Sequence, residues 1–354
     1  MKMLAIDGNS ILNRAFYGIK ALSNKNGVFT NAITGFMNIY LKIVLEYQPD
    51  MIVVAFDRKE PTFRHKAVDS YKANRHGMPD ELAMQMPIIK ELLQNLGVCV
   101  CELSGYEADD ILGTLSKLCY DNNDFCYILT GDRDSLQLIN ANCTVLLHTT
   151  KELKVYTKDR FITEYGFEPI HLIDLKALMG DSSDNIKGVK GVGEKTAMTL
   201  INEHKSIENL YTALENNTLT ATKSLLEKLR VGKDDAVQSK WLATIILDAP
   251  INNNLQSYAL SECKSDELSS LLTGLEMYKL LERLKLKPSS TPKTIMLNDN
   301  DTSKELPMTA AEDIDYILSE LTDEIFSELL NTNDIVSFLY SDNAVTLVYK
   351  NNIY

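Results

Sequence analysis

No run of eighteen apolar residues occurs anywhere in the sequence, and residues 1–10 lack a basic region followed by a long apolar stretch. Neither a membrane span nor a secretory leader is therefore expected, and the chain reads as a cytoplasmic protein with no membrane partner. Cys-x-x-Cys pairs are missing too: Cys99, Cys101, Cys119, Cys126, Cys143 and Cys263 lie within or beside apolar stretches. That spacing excludes common zinc sites and disulfide frameworks and leaves reduced core residues. Positive charge is also short. The formal net charge is −13, which at first sight argues against a polyanionic partner. The deficit is uneven: residues 287–354 hold 12 acids and 4 bases, against 37 and 32 in residues 1–286. Nine of those 37 acids belong to the motifs described below, and without them the same region is slightly basic.

What is present fits a soluble chain of two or three domains: 354 residues with 45% hydrophobic content. Short β-branched runs at Met3–Ile6, Met51–Phe56, Phe125–Leu129 and Val145–Leu147 alternate with helix-period segments at Glu81–Leu96 and Asp109–Tyr120. This alternation predicts an α/β domain over 1–170 with a mostly parallel sheet flanked by helices. From 171 to 286 helical segments such as Thr196–Glu203 and Leu225–Leu229 dominate, which predicts a helical subdomain. Residues 287–310 are polar, carry three prolines and read as a linker. Beyond it, residues 311–354 read as the start of a second α/β domain, with an acidic helix at Glu312–Leu330 and a hairpin of Ile335–Tyr340 and Val345–Tyr349. So short a piece is not expected to be stable alone.

Strand candidates are followed by aspartate three times: Asp7 after Ile6, Asp57 after Phe56, and Asp132 with Asp134 after Leu129-Thr130-Gly131. In a parallel sheet all carboxyl ends share one edge, so these acids converge. Glu107, Asp109 and Asp110 open a helix, and Asp181 and Asp184 lie in a loop before a glycine-rich turn. Any single one is as well explained as a turn former or N-cap. Together they repel by roughly 4 kcal/mol per pair at 4 Å and an effective dielectric near 20, which divalent cations relieve. With no histidine or cysteine interleaved, the oxygen-only set points to Mg²⁺, or Mn²⁺, rather than zinc. Two such ions serve hydrolysis of a phosphodiester.

The motifs Asp7-Gly8-Asn9-Ser10, Ala55-Phe56-Asp57, Tyr106-Glu107-Ala108-Asp109-Asp110, Thr130-Gly131-Asp132-Arg133-Asp134 and Gly180-Asp181-Ser182-Ser183-Asp184-Asn185 resemble the successive acidic motifs of the flap endonuclease family. The resemblance is to its bacterial DNA polymerase I branch, and it runs in motif order and spacing through about residues 1–286. It implies a PIN-like catalytic domain that cuts DNA at 5′ flaps and ends, RNA-primer–DNA hybrids included. It also implies that Asp7, Asp57, Glu107 and Asp109 serve chiefly one metal and Asp132, Asp134, Asp181 and Asp184 the other, with Asp110 near both. Asp109 and Asp132 are the acids whose loss is expected to abolish cleavage.

Residues 57–79 are the most basic stretch, with Arg58, Lys59, Arg64, His65, Lys66, Lys72, Arg75 and His76 around Phe63 and Tyr71. Basic groups neutralise phosphates and aromatics stack on unpaired bases; a solvated helix–loop face is the plainer reading. In the family this stretch is an arch over the metals, which implies that Tyr71, Lys72 and Arg75 contact the scissile phosphate or its neighbours, with Arg14 close by. Residues 186–197 run from a glycine-rich turn into a helix, a geometry that suits a phosphate. The turn resembles the family's helix–hairpin–helix (helix–three-turn–helix) element, which implies duplex-backbone contacts at Gly188, Gly191, Val192, Gly193, Lys195 and Thr196 and a K⁺ ion on its carbonyls. Lys187 and Lys190 stand where proline is common in the family.

Residues 311–354 resemble the opening of the proofreading-type (ribonuclease H-like) domain that follows the nuclease in DNA polymerase I. Its first strand normally carries an Asp-x-Glu pair, and Ile335–Leu339 carries no acid, so the domain reads as degenerate. No polymerase motif is present, so a polymerase is expected either downstream in a longer protein or acting separately. A monomer is expected, although composition carries no direct signal for it. The rival readings are an RNA-cleaving PIN-type ribonuclease, which normally lacks the basic arch and glycine hairpin, and a non-catalytic DNA-binding module, which would have lost metal acids.

Overall fold

The computed structural model describes residues 1–75 and 77–295, together with the backbone of 317–318, 337–341, 344–349 and 352–353. Residues 1–298 form one compact unit and 299–354 another. The first is built on a six-stranded sheet of order β3-β2-β1-β4-β5-β6, with β1 Lys2–Asp7, β2 Met51–Ala55, β3 Cys99–Cys101, β4 Phe125–Thr130, β5 Cys143–His148 and β6 Leu153–Tyr156. All pairings are parallel except β5 with β6.

The central strands are apolar through their middles, Met3–Ile6 of β1, Met51–Ala55 of β2 and Phe125–Leu129 of β4, because both faces are covered, as parallel sheets require. Met3 and Ala5 of β1 enter one layer with Val53, Ile111, Leu115 and Ile128. Leu4 and Ile6 enter the opposite layer with Val54, Ile33, Phe36 and Leu92. The register pairs Asp7 with Ala55 and Ile6 with Leu129. Asp7, Asp57 and Asp132 therefore leave the sheet at one edge. The expected helices appear at Asp80–Ala83 and Gln85–Asn95, Ala108–Asp121, Glu194–His204 and Lys223–Val231.

Residues 167–243 are helical, as the sequence predicts, but their core is continuous with the sheet: Val189, Val192, Ala197 and Leu210 join the layer that holds Met3 and Ala5. The C-terminal part of the expected helical subdomain behaves differently. After Ser261 N–H donates to Gly97 O and Lys264 N–H to Asn95 O, the helices Ser265–Gly274 and Tyr278–Arg283 return to the sheet. There Leu268, Leu271, Leu272 and Leu281 pack with Leu4, Ile6 and Phe36. Leu271→Ala is thus expected to destabilise the whole nuclease unit by about 2–5 kcal/mol, read as a lower urea midpoint at unchanged m-value.

All six cysteines are free; Cys263, expected in the core, is exposed. Among the described residues no helix is long and apolar enough to cross a membrane. In the second unit the expected hairpin is present as β8 Ser337–Ser341 and β9 Ala344–Tyr349, antiparallel, in a sheet of order β7-β10-β9-β8. Ile317–Leu318, read from the sequence as helix, is strand β7 and pairs in parallel with β10 Asn352–Ile353. The rest of that helix, the linker beyond 295 and His76 lie outside the described residues.

Candidate active site

Each acid at the sheet edge is held by the local structure that presents it. Asp7 ends β1 and caps the helix Gly8–Gly18: its Oδ1 accepts from Ser10 N–H at 2.9 Å and its Oδ2 from the Thr130 hydroxyl at 2.9 Å. A side chain at position 8 would collide with the Phe56 ring, 2.4 Å from an added Cβ, so the turn after Asp7 depends on glycine. Asp57 Oδ1 accepts from Ala108 N–H at 2.7 Å, which orients it by the free donors of the helix Ala108–Asp121. Asp132 accepts from Asp134 N–H at 2.9 Å and donates its own N–H to the Thr130 hydroxyl at 3.0 Å. Thr130 therefore ties two strand-end aspartates together, a role nothing in the sequence marked.

Asp7, Asp57, Glu107, Asp109 and Asp132 line one cleft of about 980 Å³ with Arg14, Lys72 and Arg75. Burial pushes the Asp7 carboxyl up to about 7, with Asp57 and Asp132 adding to the rise. Asp109 is raised well above the ordinary carboxylate range by burial and then by the charges of Asp7 and Asp132. Carboxylates this reluctant to ionise, backed by hydroxyl and N–H donors, are a set of hard oxygen ligands that suits a divalent cation.

The remaining acids have cationic partners from the chain itself. Lys176 Nζ joins Asp134 and Asp181, the latter at 2.6 Å. Burial alone would raise Asp181, but the Lys176 ammonium holds it at about 2. Asp134 is pushed up to about 7 by burial and by Asp132 despite the same lysine. Asp184 pairs with Arg75 and lies 3.7 Å from Lys72 Nζ. Among the described residues no three acids close tightly enough around one point to form a ready coordination shell; ammonium and guanidinium groups sit among them. Lys176 escaped the sequence reading, although one lysine in the mostly apolar run Leu-Ile-Asp-Leu-Lys-Ala-Leu-Met was its signal.

Four assignments from the sequence need correction. Arg64 is not on a DNA-facing surface: it is 2% exposed. Its guanidinium forks onto Asp110 at 2.8 and 2.8 Å and also reaches Glu107 at 3.0 Å. Asp110 is fully buried in that fork and further accepts from Glu107 N–H and Ile246 N–H, so it faces arginine and backbone rather than the cleft. Tyr71, expected beside the phosphate, is 4% exposed and donates its hydroxyl to Glu107 at 3.1 Å. Val192 sends its side chain into the core, leaving only backbone for a duplex. For Arg64, Asp110 and Tyr71 a neighbouring element covers a polar side chain that composition alone places at the surface. Lys72, by contrast, reaches from the cleft wall to Glu107 at 2.7 Å.

At the glycine turn, Gly188 and Gly191 hold φ of 61° and 79°, Gly193 caps the helix Glu194–His204 and Lys195 is exposed, with Thr196 half-buried beside it. An added Cβ on Gly188 would lie 2.2 Å from Gly180 N. Gly188→Ala is expected to cost at least about 1–2 kcal/mol from the left-handed backbone alone, seen as a lower melting temperature and a weaker grip on duplex DNA.

Residues 2–166 match the model of the 5′-3′ exonuclease N-terminal resolvase-like domain, and residues 167–266 that of the 5′-3′ exonuclease C-terminal SAM fold. The chain is 41% identical over 290 residues to DNA polymerase I of Caldicellulosiruptor bescii, covering 81% of this chain and 34% of that one. It is 35% identical to DNA polymerase I of Lactococcus lactis subsp. cremoris, covering 99% of this chain and 40% of that one. It thus spans a little over a third of the length of these relatives. Among solved structures, the bacteriophage T5 D15 flap endonuclease in a pseudo-enzyme–product complex with DNA and metal ions superposes with a TM-score of 0.58 at 18% identity, over 69% of this chain and 89% of the other. At that identity the likeness concerns the fold.

Proposed function

The chain belongs to the 5′–3′ exonuclease family, and on that premise we propose that it is a metal-dependent 5′–3′ exonuclease and flap endonuclease. Its substrate is DNA near 5′ ends and single-strand/duplex junctions, RNA-primer–DNA hybrids included. It works as a monomer and as the nuclease part of a DNA polymerase I in primer removal and repair. The observation that carries this is one cleft lined by five acids from four segments, Asp7, Asp57, Glu107 with Asp109, and Asp132, together with Lys72 and Arg75.

Asp7, Asp57, Glu107 and Asp109 would hold one divalent ion and Asp132, Asp134, Asp181 and Asp184 the other, Mg²⁺ being the natural choice and Mn²⁺ a substitute. When bound, the ions supply an activated water and stabilisation of the leaving oxygen. Lys72 and Arg75, beside the acids, neutralise charge that develops on the phosphoryl oxygens, and Arg14 orients the neighbouring phosphate. The backbone of the turn 188–193 grips the duplex backbone without reading sequence, with K⁺ on the carbonyls, while Lys195 and Thr196 extend the contact.

Stabilisation of developing charge acts on the transition state. Arg75→Ala is therefore expected to lower the single-turnover rate by about 10²-fold while changing duplex affinity only a few-fold. Equal losses in rate and affinity would sink that role. The function itself is tested with a labelled 5′-flap duplex beside single-stranded RNA, each in Mg²⁺ and in EDTA. Mg²⁺-dependent cutting of the flap supports the proposal. Cutting of the RNA alone supports a PIN-type ribonuclease, and flap binding without cutting supports a non-catalytic module.

A further inference from the structure

The basic segment Ser70–Arg75 and the loop Asp181–Ile186 begin 111 residues apart in sequence and are stitched together by hydrogen bonds on both sides of Lys72. Asn185 Nδ2 donates to Ser70 O at 2.7 Å, Lys72 N–H donates to Asp184 O at 2.9 Å, and Asn74 Nδ2 donates to Ser182 O at 2.7 Å. Lys72 and Asn185 both sit in the left-handed region, with φ of 54° and 55°. For lysine that conformation is costly, and it persists only where neighbours over-determine it. The loop is itself closed by paired backbone bonds between Asp181 and Ile186, each 2.8 Å. Ile186 then packs with Tyr71, Leu242 and Ala243 in a small buried cluster and leads directly into the glycine turn. A continuous set of contacts thus runs from the turn, through the loop, to the two basic side chains at the cleft.

We infer that Asn74 and Asn185 are positioning residues: their amides latch the segment 70–75 to the loop 181–186, so that the duplex-gripping turn and the Lys72–Arg75 pair are held as one unit. The inference rests on the nuclease reading above. Neither amide bonds a carboxylate oxygen: Asn185 donates to the Ser70 carbonyl and Asn74 to the Ser182 carbonyl, so the two bonds anchor the segment on either side of Lys72. Duplex held at the turn then keeps the basic pair in register with the phosphate to be cut. Misplacement of a reacting geometry by about 1 Å is enough to cost rate without costing affinity.

The test uses the full chain with Asn74→Ala, whose side chain is exposed, with Asn185→Gly, which keeps the left-handed backbone available, and with the double variant. Single-turnover cutting of a 5′-flap duplex in Mg²⁺, affinity for the same duplex in EDTA, and hydrogen exchange at the Lys72 amide are measured. Each single variant is expected to cut about tenfold more slowly, the loss of one hydrogen bond's worth of positioning. Affinity should stay within about twofold, and the Lys72 amide should exchange faster. The double variant should be scarcely slower than the worse single one, since a latch once open has little more to lose. Wild-type cutting rates in both singles, or losses confined to affinity, would overturn the latch. If the wild-type chain does not cut at all, the nuclease reading fails instead; the latch still stands or falls on whether Lys72 exchange quickens in Asn74→Ala.

Discussion

Asp109→Ala should abolish cleavage, with a loss of at least about 10²-fold in single-turnover rate under saturating Mg²⁺. The expectation follows from where the carboxylate sits. It opens the helix Ala108–Asp121, lines the cleft with Asp7 and Asp132, and has the Ser135 hydroxyl as its recorded donor, at 3.3 Å. A side chain in that position contributes little to the fold and much to cation binding. Its cost to the fold follows from its surroundings: burial, and then the charges of Asp7 and Asp132, push its pKa well above the ordinary carboxylate range. For a group whose folded pKa lies above its unfolded one, stability is greatest at low pH and falls as pH rises from the unfolded value toward the folded one. In EDTA the wild-type protein should thus lose melting temperature as pH rises, Asp7 alone contributing from about 4 to about 7, and Mg²⁺ should restore it. Asp109→Asn should be as inactive as the alanine variant yet melt higher than wild type in EDTA at pH 8. Thermal melts at pH 5 and pH 8, with and without Mg²⁺, decide the matter. A lower melting point for Asp109→Asn at pH 8 would mean that the carboxylate is not the strained member of the cluster.

The largest effect on stability is expected at Arg64→Ala. The guanidinium is 2% exposed and compensates Asp110, which is 0% exposed, while also holding Glu107. Removing it leaves a buried carboxylate without its partner, a change that costs about 3–5 kcal/mol. For a unit of this size that is a fall of the order of 10 °C in melting temperature. Cleavage should fall as well, because Glu107 loses one of the groups that aim it at the cleft. Lysine should rescue poorly, since a single ammonium cannot reproduce the two-pronged bond to Asp110. Pairing Arg64→Met with Asp110→Leu should recover most of the stability of the single variant, because the stranded charge is gone. If Arg64→Ala melts within about 2 °C of wild type, the buried pair is not what supports Glu107.

How much of this was legible beforehand depends on the distance over which each feature is decided. The strands that carry Asp7, Asp57 and Asp132 were visible because β-branched apolar runs declare themselves within a few residues, and a parallel sheet then brings their ends together whatever the rest of the chain does. The short edge strand Cys99–Cys101 and the antiparallel β6 were not among the expected strands: each is brief and partly exposed, with an apolar run of only four residues at Val98–Cys101 and one broken by Lys154 in β6. The basic stretch was read as one surface. Composition treats Arg64 and Lys72 alike, yet one is sealed against Asp110 and the other opens onto the cleft.

By itself, then, the sequence determined the set of acids, the convergence of the strand-end ones at one sheet edge and the oxygen-only chemistry that suits divalent ions, because these follow from residue type and local periodicity. Tertiary structure alone decided which charges face substrate and which face one another. Arg64 and Asp110 are 46 residues apart and Lys176 and Asp134 are 42 apart, and the helices after residue 264 return to a sheet formed far upstream. Periodicity tells which side of an element must be covered; only the packed chain settles what covers it, and a charge changes its work according to that cover.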